Sequence, residues 1–472
     1  MEFRVERDFL GEVNIPAERY YGIHTARSAG NFNLSDNKVS FDLIKAFALV
    51  KKAAAITNEK LGYLDEVIAN AIIKSCDEIV GGKFREDFIV DVFQGGAGTS
   101  TNMNVNEVIA NRANEILGYE KGKYFPVHPL EHVNLHQSTN DTYPSALKIA
   151  SLFLLQNLSE EIAKFQGVLQ KKEKEFTSVM KIGRTELQEA VPITLGREFS
   201  GFADAVSRDR WRIWKALERL RILNIGGTAI GTGLAAPKDY IFEVIDVLRD
   251  LTGLNISRHE NPVSVTAFVD DFVEVVGIID AYISNLFKIS NDLRMMNLLK
   301  EIRLKPVQPG SSIMPGKVNP VIMESAIQIS IRVRADFAVV RECSSLASFQ
   351  IAEFMPLLAF SFIESLKLLI KTTKMVAEHI EGIKPLTDNC KNYFEKSFSI
   401  VTALLPLIGY EKAAELVKEL ESRNIENIKQ FLEDKLGKGI VEKFLSAEYL
   451  NSLGYDEEEL EEFLDDINPK RS

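Results

Sequence analysis

PSALKIASLFLLQNLSEEIAKFQGVLQKKEKEF, residues 144–176, is the stretch that decides the fold class. Its apolar residues Leu147, Ile149, Phe153, Leu154, Leu158, Ile162, Phe165 and Leu169 recur mainly at three- and four-residue steps. That spacing lines one face of a helix and does not fit the alternation of a strand. Two further long runs follow it in the sequence. Residues 192–223 contain Trp211 and Trp214, and residues 265–299 carry Phe268, Phe272, Val275, Val276, Ile279, Ile283, Leu286 and Ile289. Helical runs are also expected from Phe41 onward, over 64–80 with a stop at Gly81–Gly82, and near 320–348 and 357–382. Helices beyond about 25 residues predict a mainly α protein with a central long-helix bundle. Stripes this broad are expected to form core and to share part of their apolar surface with partner chains. Residues 1–40, rich in aromatic and turn-forming residues, are expected to be irregular. The acidic run 456–466 is expected to be a solvated helix face.

Composition narrows the function. A chain of 472 residues exceeds one compact core, and 46% hydrophobic with 26% charged residues is ordinary for a globular protein. The net charge of −11 argues against nucleic acid as a partner, while leaving room for a local cationic pocket that takes an anion. Cys76, Cys343 and Cys390 lie far apart, as free thiols of a reducing compartment would. The opening Met-Glu-Phe-Arg-Val-Glu-Arg-Asp lacks the basic start and apolar centre of a secretion signal, and no apolar run is long enough to cross a membrane. A cytoplasmic location is expected.

Chemistry is expected where polar, glycine-bearing segments interrupt the helices. Four stand out: QGGAGTSTNMNVN at 94–106, HQSTNDT at 136–142, GRTELQ at 183–188 and PGSSIMPGKVNP at 309–320. Each is dense in hydroxyls and amides beside a long helix, a setting in which backbone N–H groups and Ser, Thr or Asn side chains receive a carboxylate. Any one of them also reads as a capped helix start or a turn; four in one chain favour a site. Other chemistries fit poorly. GGAGTS lacks the third glycine of a dinucleotide loop and the lysine of a phosphate loop. No HExxH occurs, the six histidines show no metal spacing, and Ser311 and Ser312 lie outside any GxSxG elbow.

GSSIMPGKVNP (310–320) resembles the signature of the aspartase/fumarase superfamily, and the other three segments resemble its substrate-binding regions in the expected order. The resemblance runs from about Phe9 to Tyr410. YYGIHT (20–25), DVFQGGAGTSTNMNVNEVIANR (91–112) and QSTND (137–141) look like the ammonia-lyase branch; class II fumarases resemble a pattern with SGTQ where this chain has AGTS. The resemblance implies three domains, at 1–136, 137–384 and 385–472. It also implies a homotetramer whose active sites each draw on three subunits, and removal of ammonia from L-aspartate to give fumarate without metal or organic cofactor. Fumarate hydration and action on an aspartate analogue are the competing readings.

By the same resemblance Ser311 is the base, acting as an alkoxide. Thr99, Ser138, Thr139, Thr185 and Ser312 would hold the β-carboxylate and its doubly negative intermediate. Asn140, Lys317 and Asn319 would bind the other carboxylate and orient the amine. Abstracting a proton beside a carboxylate concentrates negative charge, so a site of many donors and one strong base is what this chemistry requires. Three departures bear on substrate. Glu186 follows Thr185 where fumarases carry His, RMMNLLKEIRL at 294–304 replaces an SGPRAG-like stretch, and Ala352 stands where relatives usually have Asn.

Overall fold

The N-terminal segment expected to be irregular forms a hairpin. In the computed structural model, which describes residues 2–461 except 424 and 459, β1 (Phe3–Asp8) pairs antiparallel with β2 (Gly11–Pro16). Strand alternation is present in FRVERD but inverted. Phe3 and Val5 are exposed, whereas Glu6 is buried with Arg4 beside it. Arg4 donates to Glu6 Oε1 (2.9 Å) and to the carbonyls of Arg19 (2.7 Å) and Tyr21 (2.6 Å). Polar groups facing inward give no apolar signal, so the strand was not visible in the sequence. Next comes α1 (Ile23–Asn31), whose first turn is held by Glu107: that carboxylate accepts from the amides of Gly22 (2.9 Å), His24 (2.9 Å) and Thr25 (3.1 Å).

The helices follow largely as the periodicity predicts. They are α2 (Phe41–Lys60), α3 (Glu66–Val80, capped at Gly81), α4 (Thr99–Ile116) and α5 (Thr139–Glu175). Pro144 lies inside α5 rather than at its start. A proline there leaves the carbonyl of Asn140 without its helical donor, and Asn224 Nδ2 takes that place at 2.9 Å. The run expected to be helical from residue 192 begins later. β3 (Met180–Thr185) and β4 (Gln188–Thr194) form an antiparallel hairpin, and α6 (Leu195–Leu220) starts only after it.

Two-residue β5 (Ile222–Leu223) pairs with β6 (Ser257–Arg258) across α7 (Lys238–Thr252). α8 (Pro262–Ala267) and α9 (Asp270–Leu298) divide the run expected over 265–299. β7 (Ile302–Arg303) pairs with β8 (Lys384–Pro385), and between them lie α10 (Val321–Ser345) and α11 (Met355–Glu381). Five shorter helices close the described chain: α12 (Thr387–Lys396), α13 (Leu405–Ser422), α14 (Ile428–Leu436), α15 (Lys438–Phe444) and α16 (Ala447–Asn451). The protein is mainly helical. Most of the acidic run 456–466 lies outside the described residues.

The chain forms two compact units. The first comprises residues 1–159, 211–281 and 331–371; the second comprises 160–210, 282–330 and 372–472. In the first, α2, α3, α4 and α7 pack around buried Phe47, Ile72, Ile79, Val105, Ile109 and Val244. In the second, Ile182 of β3 joins Phe394, Ile400, Leu404, Leu416 and Leu432 in a separate core.

Most of the residues in the stripes that define the long helices are covered by the chain itself. Leu147, Ile149, Leu154, Leu158, Ile162, Phe165 and Leu169 are buried, as are Phe272, Val275, Val276, Ile279, Ile283, Leu286 and Ile289. They therefore supply no argument for partner chains. Phe268 of the 265–299 run is the exception at 63% exposed, and further apolar surface is left on α6, where Trp211 and Trp214 are 67% and 54% exposed. No described helix is long and apolar enough to cross a membrane.

Candidate active site

In the first unit the starts of α4 and α5 lie side by side. α4 begins at Thr99, after Gly98 in the left-handed region at φ 91°. A Cβ on Gly98 would sit 2.2 Å from the ring of Tyr143, so only glycine lets the loop approach α5. Gly98→Ala is expected to lower stability by about 2 kcal/mol or more, read as a fall in melting temperature. An unchanged melting temperature would rule out that close approach.

Asn102 of α4 donates to Thr139 Oγ1 (3.1 Å), which joins the two helix starts directly. Within the 138–141 turn, Asn140 N donates to Ser138 Oγ (3.2 Å) and Ser138 N to Asp141 Oδ1 (2.9 Å). Asn140 Nδ2 donates to the carbonyl of Ala229 (2.7 Å). Asp141 also accepts the amides of Gly226 (3.1 Å) and Thr228 (2.9 Å), tying this turn to the 224–229 loop. Burial raises the Asp141 carboxyl to about 7, against the pull of those amides and of the Lys51 charge. Thr139, Asn140, Ala97 and Ala352 line one small cleft. Ala352, where the resemblance led to an expectation of Asn, thus lies in the same wall as Thr139 and Asn140.

In the second unit the hydroxyl of Ser311 accepts the amides of Ile313 (3.2 Å) and Met314 (3.0 Å). Its loop is closed by Gly310 N donating to the Lys317 carbonyl (2.8 Å) and Asn319 Nδ2 donating to the Gly310 carbonyl (3.0 Å). A Cβ at Gly310 would lie 2.9 Å from that Lys317 oxygen, so this closure also requires glycine. Ser311 and Asn319 are half-buried; Ser312 and Lys317 are exposed.

Thr185 ends β3, and Glu186 and Leu187 form the turn of the β3–β4 hairpin at φ 52° and 64°. Two successive left-handed residues match the twist of a two-residue hairpin, a position that usually selects Asn and Gly. Glu186 lines a cavity of 320 Å³ with Lys181, Arg184, Lys288 and Asp292. Beneath it, Lys181 bonds both Glu198 and Glu301 at 2.6 Å, and Arg184 pairs with Glu301. Burial lowers the Lys181 ammonium, but the two carboxylates outweigh that and hold it above its ordinary value. No hydrogen bond joins this hairpin to the Ser311 loop among the described residues.

The predicted residues thus form two sets: Thr99, Ser138, Thr139 and Asn140 in one unit, and Thr185, Glu186, Ser311, Ser312, Lys317 and Asn319 in the other. Sequence reasoning passed over Asn102, Asn134 and Lys51, which support the first set from below. The signal was a lone lysine on the apolar face of ALVKKAAAI, four residues from both Phe47 and Ala55.

Residues 11–335 match the lyase family model. Over 424 residues the chain is 43% identical to an aspartate ammonia-lyase from a Bacillus species, covering 89% of this chain and 91% of that one. The chain belongs to the aspartase/fumarase superfamily. Like other superfamily members it is a lyase. It is also 41% identical over 426 residues to a class II fumarate hydratase from Thermosynechococcus vestitus, covering 89% and 91%. The crystal structure of a fumarate lyase, delta crystallin, from Brucella melitensis superposes with a TM-score of 0.88 at 39% identity over the full length of both chains. The family match spans all four polar segments.

Proposed function

We propose that this lyase cleaves a carbon–nitrogen bond as an aspartate ammonia-lyase, converting L-aspartate reversibly into fumarate and ammonia. The observation that carries the reading is the pair of backbone amides on Ser311 Oγ. Hydrogen bonds to the charged form lower a hydroxyl's pKa, and the loop contains no histidine or carboxylate to act in its place. Ser311 takes the proton from the carbon beside the β-carboxylate. Thr99, Ser138, Thr139, Thr185 and Ser312 receive that carboxylate as it gains a second charge, an aci-carboxylate intermediate. Asn140, Lys317 and Asn319 hold the other carboxylate, and the amine leaves. The three domains of 1–136, 137–384 and 385–472 assemble as a homotetramer, and three subunits complete each site. Light scattering should give the mass of about four chains; a stable, active monomer would overturn the assembly.

Fumarate absorbance after adding L-aspartate or L-malate tests the reaction. Fumarate from aspartate alone supports the proposal, and fumarate from malate alone replaces it with the hydratase reading. The latter draws on the similarity to the Thermosynechococcus enzyme.

Glu186 is the residue expected to favour an amine-bearing substrate. Exposed at the hairpin tip, it faces the substrate ammonium in this proposal. Glu186→Gln should raise the Michaelis constant for aspartate several-fold and weaken discrimination against malate. A fall in that constant, clearest above neutral pH, would place the carboxylate against the substrate carboxylate instead, where like charges cost on the order of a few kcal/mol. Unaltered kinetics between roughly pH 6 and 9 would show that Glu186 points elsewhere.

A further inference from the structure

Lys51 is wholly buried in α2, and its ammonium donates to a neutral group, Asn134 Oδ1, at 2.9 Å. It forms no ion pair among the described residues. That same oxygen accepts from Asn102 Nδ2 (3.1 Å) and Asn106 Nδ2 (3.2 Å), while Asn134 Nδ2 donates to the Gln137 carbonyl (3.1 Å). Asn102 Nδ2 in turn donates to Thr139 Oγ1. The chain of contacts runs from a buried cation to the start of α5 through two side-chain amides. Its orientation is fixed, because ammonium groups only donate and amide oxygens only accept.

From this geometry we infer that Lys51 is a positioning residue for the anion-binding turn at 138–140, setting Asn134 and Asn102 so that the Thr139 hydroxyl points its proton at a bound dicarboxylate. The inference rests on the proposal that this turn receives a substrate carboxylate. Asn102 occupies the acceptor side of Thr139 Oγ1, and among the described residues the hydroxyl has no acceptor of its own. Its proton is left for a ligand at the 138–140 turn. The buried ammonium adds a positive potential below two helix starts that already favour anions. A charge buried without an ion pair is costly; a dianion above it offsets part of that cost.

The titratable groups facing Lys51 are Asp141 of α5 and Cys76 of α3. The thiol is pushed far up by burial and stays neutral. Burial lowers the Lys51 ammonium to about 7 against the attraction of Asp141, whose own carboxyl is raised to about 7. Tyr240 of α7, neutral through burial, faces Asp141. The α4 groups, Asn102 and Asn106, carry no charge. A bound dianion raises the affinity of both Lys51 and Asp141 for protons, so binding near pH 7 takes up a proton. Without the ammonium the Asp141 carboxyl rises further and the Lys51 site for the proton is gone, so the uptake shrinks.

The test uses the intact enzyme and succinate, an unreactive dicarboxylate dianion. Calorimetry near pH 7, in buffers of different ionisation enthalpy, should show proton uptake with the unaltered protein. Lys51→Met should reduce that uptake clearly. It should also raise the succinate dissociation constant and the aspartate Michaelis constant about ten- to a hundredfold, with a smaller change in kcat. Binding of succinate to the unaltered protein without proton uptake overturns the inference even if the variant does not fold. A folded Lys51→Met enzyme with unchanged uptake and Michaelis constant overturns it as well. An unaltered enzyme that neither binds succinate nor acts on aspartate instead overturns the proposed function, and this inference with it.

Discussion

Replacing Ser311 with alanine is expected to lower turnover by several orders of magnitude while the assembly and fumarate binding survive. The loss should be large because the missing atom is the base itself, and knocking out one member of such a unit removes nearly all of its contribution. The hydroxyl has two roles in the loop, as acceptor for Ile313 N and Met314 N and as the reacting oxygen. Alanine removes both, so the loop's integrity needs its own readout. The Gly310–Lys317 and Asn319–Gly310 bonds do not involve the Ser311 side chain, and they should keep the loop closed. Retained fumarate binding, measured by calorimetry on the variant, separates lost chemistry from a lost fold. Turnover within about tenfold of the unaltered enzyme would remove Ser311 from the mechanism, since a general base alone contributes more than that.

The long helices were legible because burial on a broad face imposes a repeating apolar pattern over many residues. Leu147 through Leu169 supply enough repeats to outweigh any local irregularity. What that pattern did not reveal is which surface covers the stripe, and the chain covers it itself. Short elements were harder. β1 turns Arg4 and Glu6 inward, where the guanidinium donates to the Glu6 carboxylate and to the carbonyls of Arg19 and Tyr21, so its alternation runs opposite to the usual one. The last three residues of β4, 192–194, were read into the predicted helix of 192–223, since Pro192 and Ile193 lie close before α6.

The candidate site was legible as four segments. Their side-chain chemistry is local, and each sits at the end of a long element. The supporting layer was not. Lys51, Asn102 and Asn134 meet only after α2, α4 and the turn before α5 pack together, and no spacing within one segment encodes that meeting. Pro144 shows the same dependence: its place inside α5 is tolerated through Asn224, a residue eighty positions away in the sequence.

Mixing two inactive variants is expected to restore activity, from near zero to a substantial fraction of the unaltered enzyme. Thr139→Val removes the hydroxyl from the first set of site residues at nearly constant volume. Ser311→Ala removes the base from the second. The two sets belong to different compact units of the chain, and the proposed homotetramer assembles each site from three subunits. In a mixed tetramer, a site can then draw its 138–140 turn from a Ser311→Ala chain and its 310–319 loop from a Thr139→Val chain. Such a site is intact in every residue. With random assembly of equal amounts, roughly one site in four is of this kind. Co-expressing the two chains with different affinity tags, and purifying through both, isolates the mixed particles for assay. Each variant expressed alone supplies the background. If doubly purified tetramers stay at that background, each site is built from a single chain, and the three-subunit proposal fails although the roles of Ser311 and Thr139 would stand.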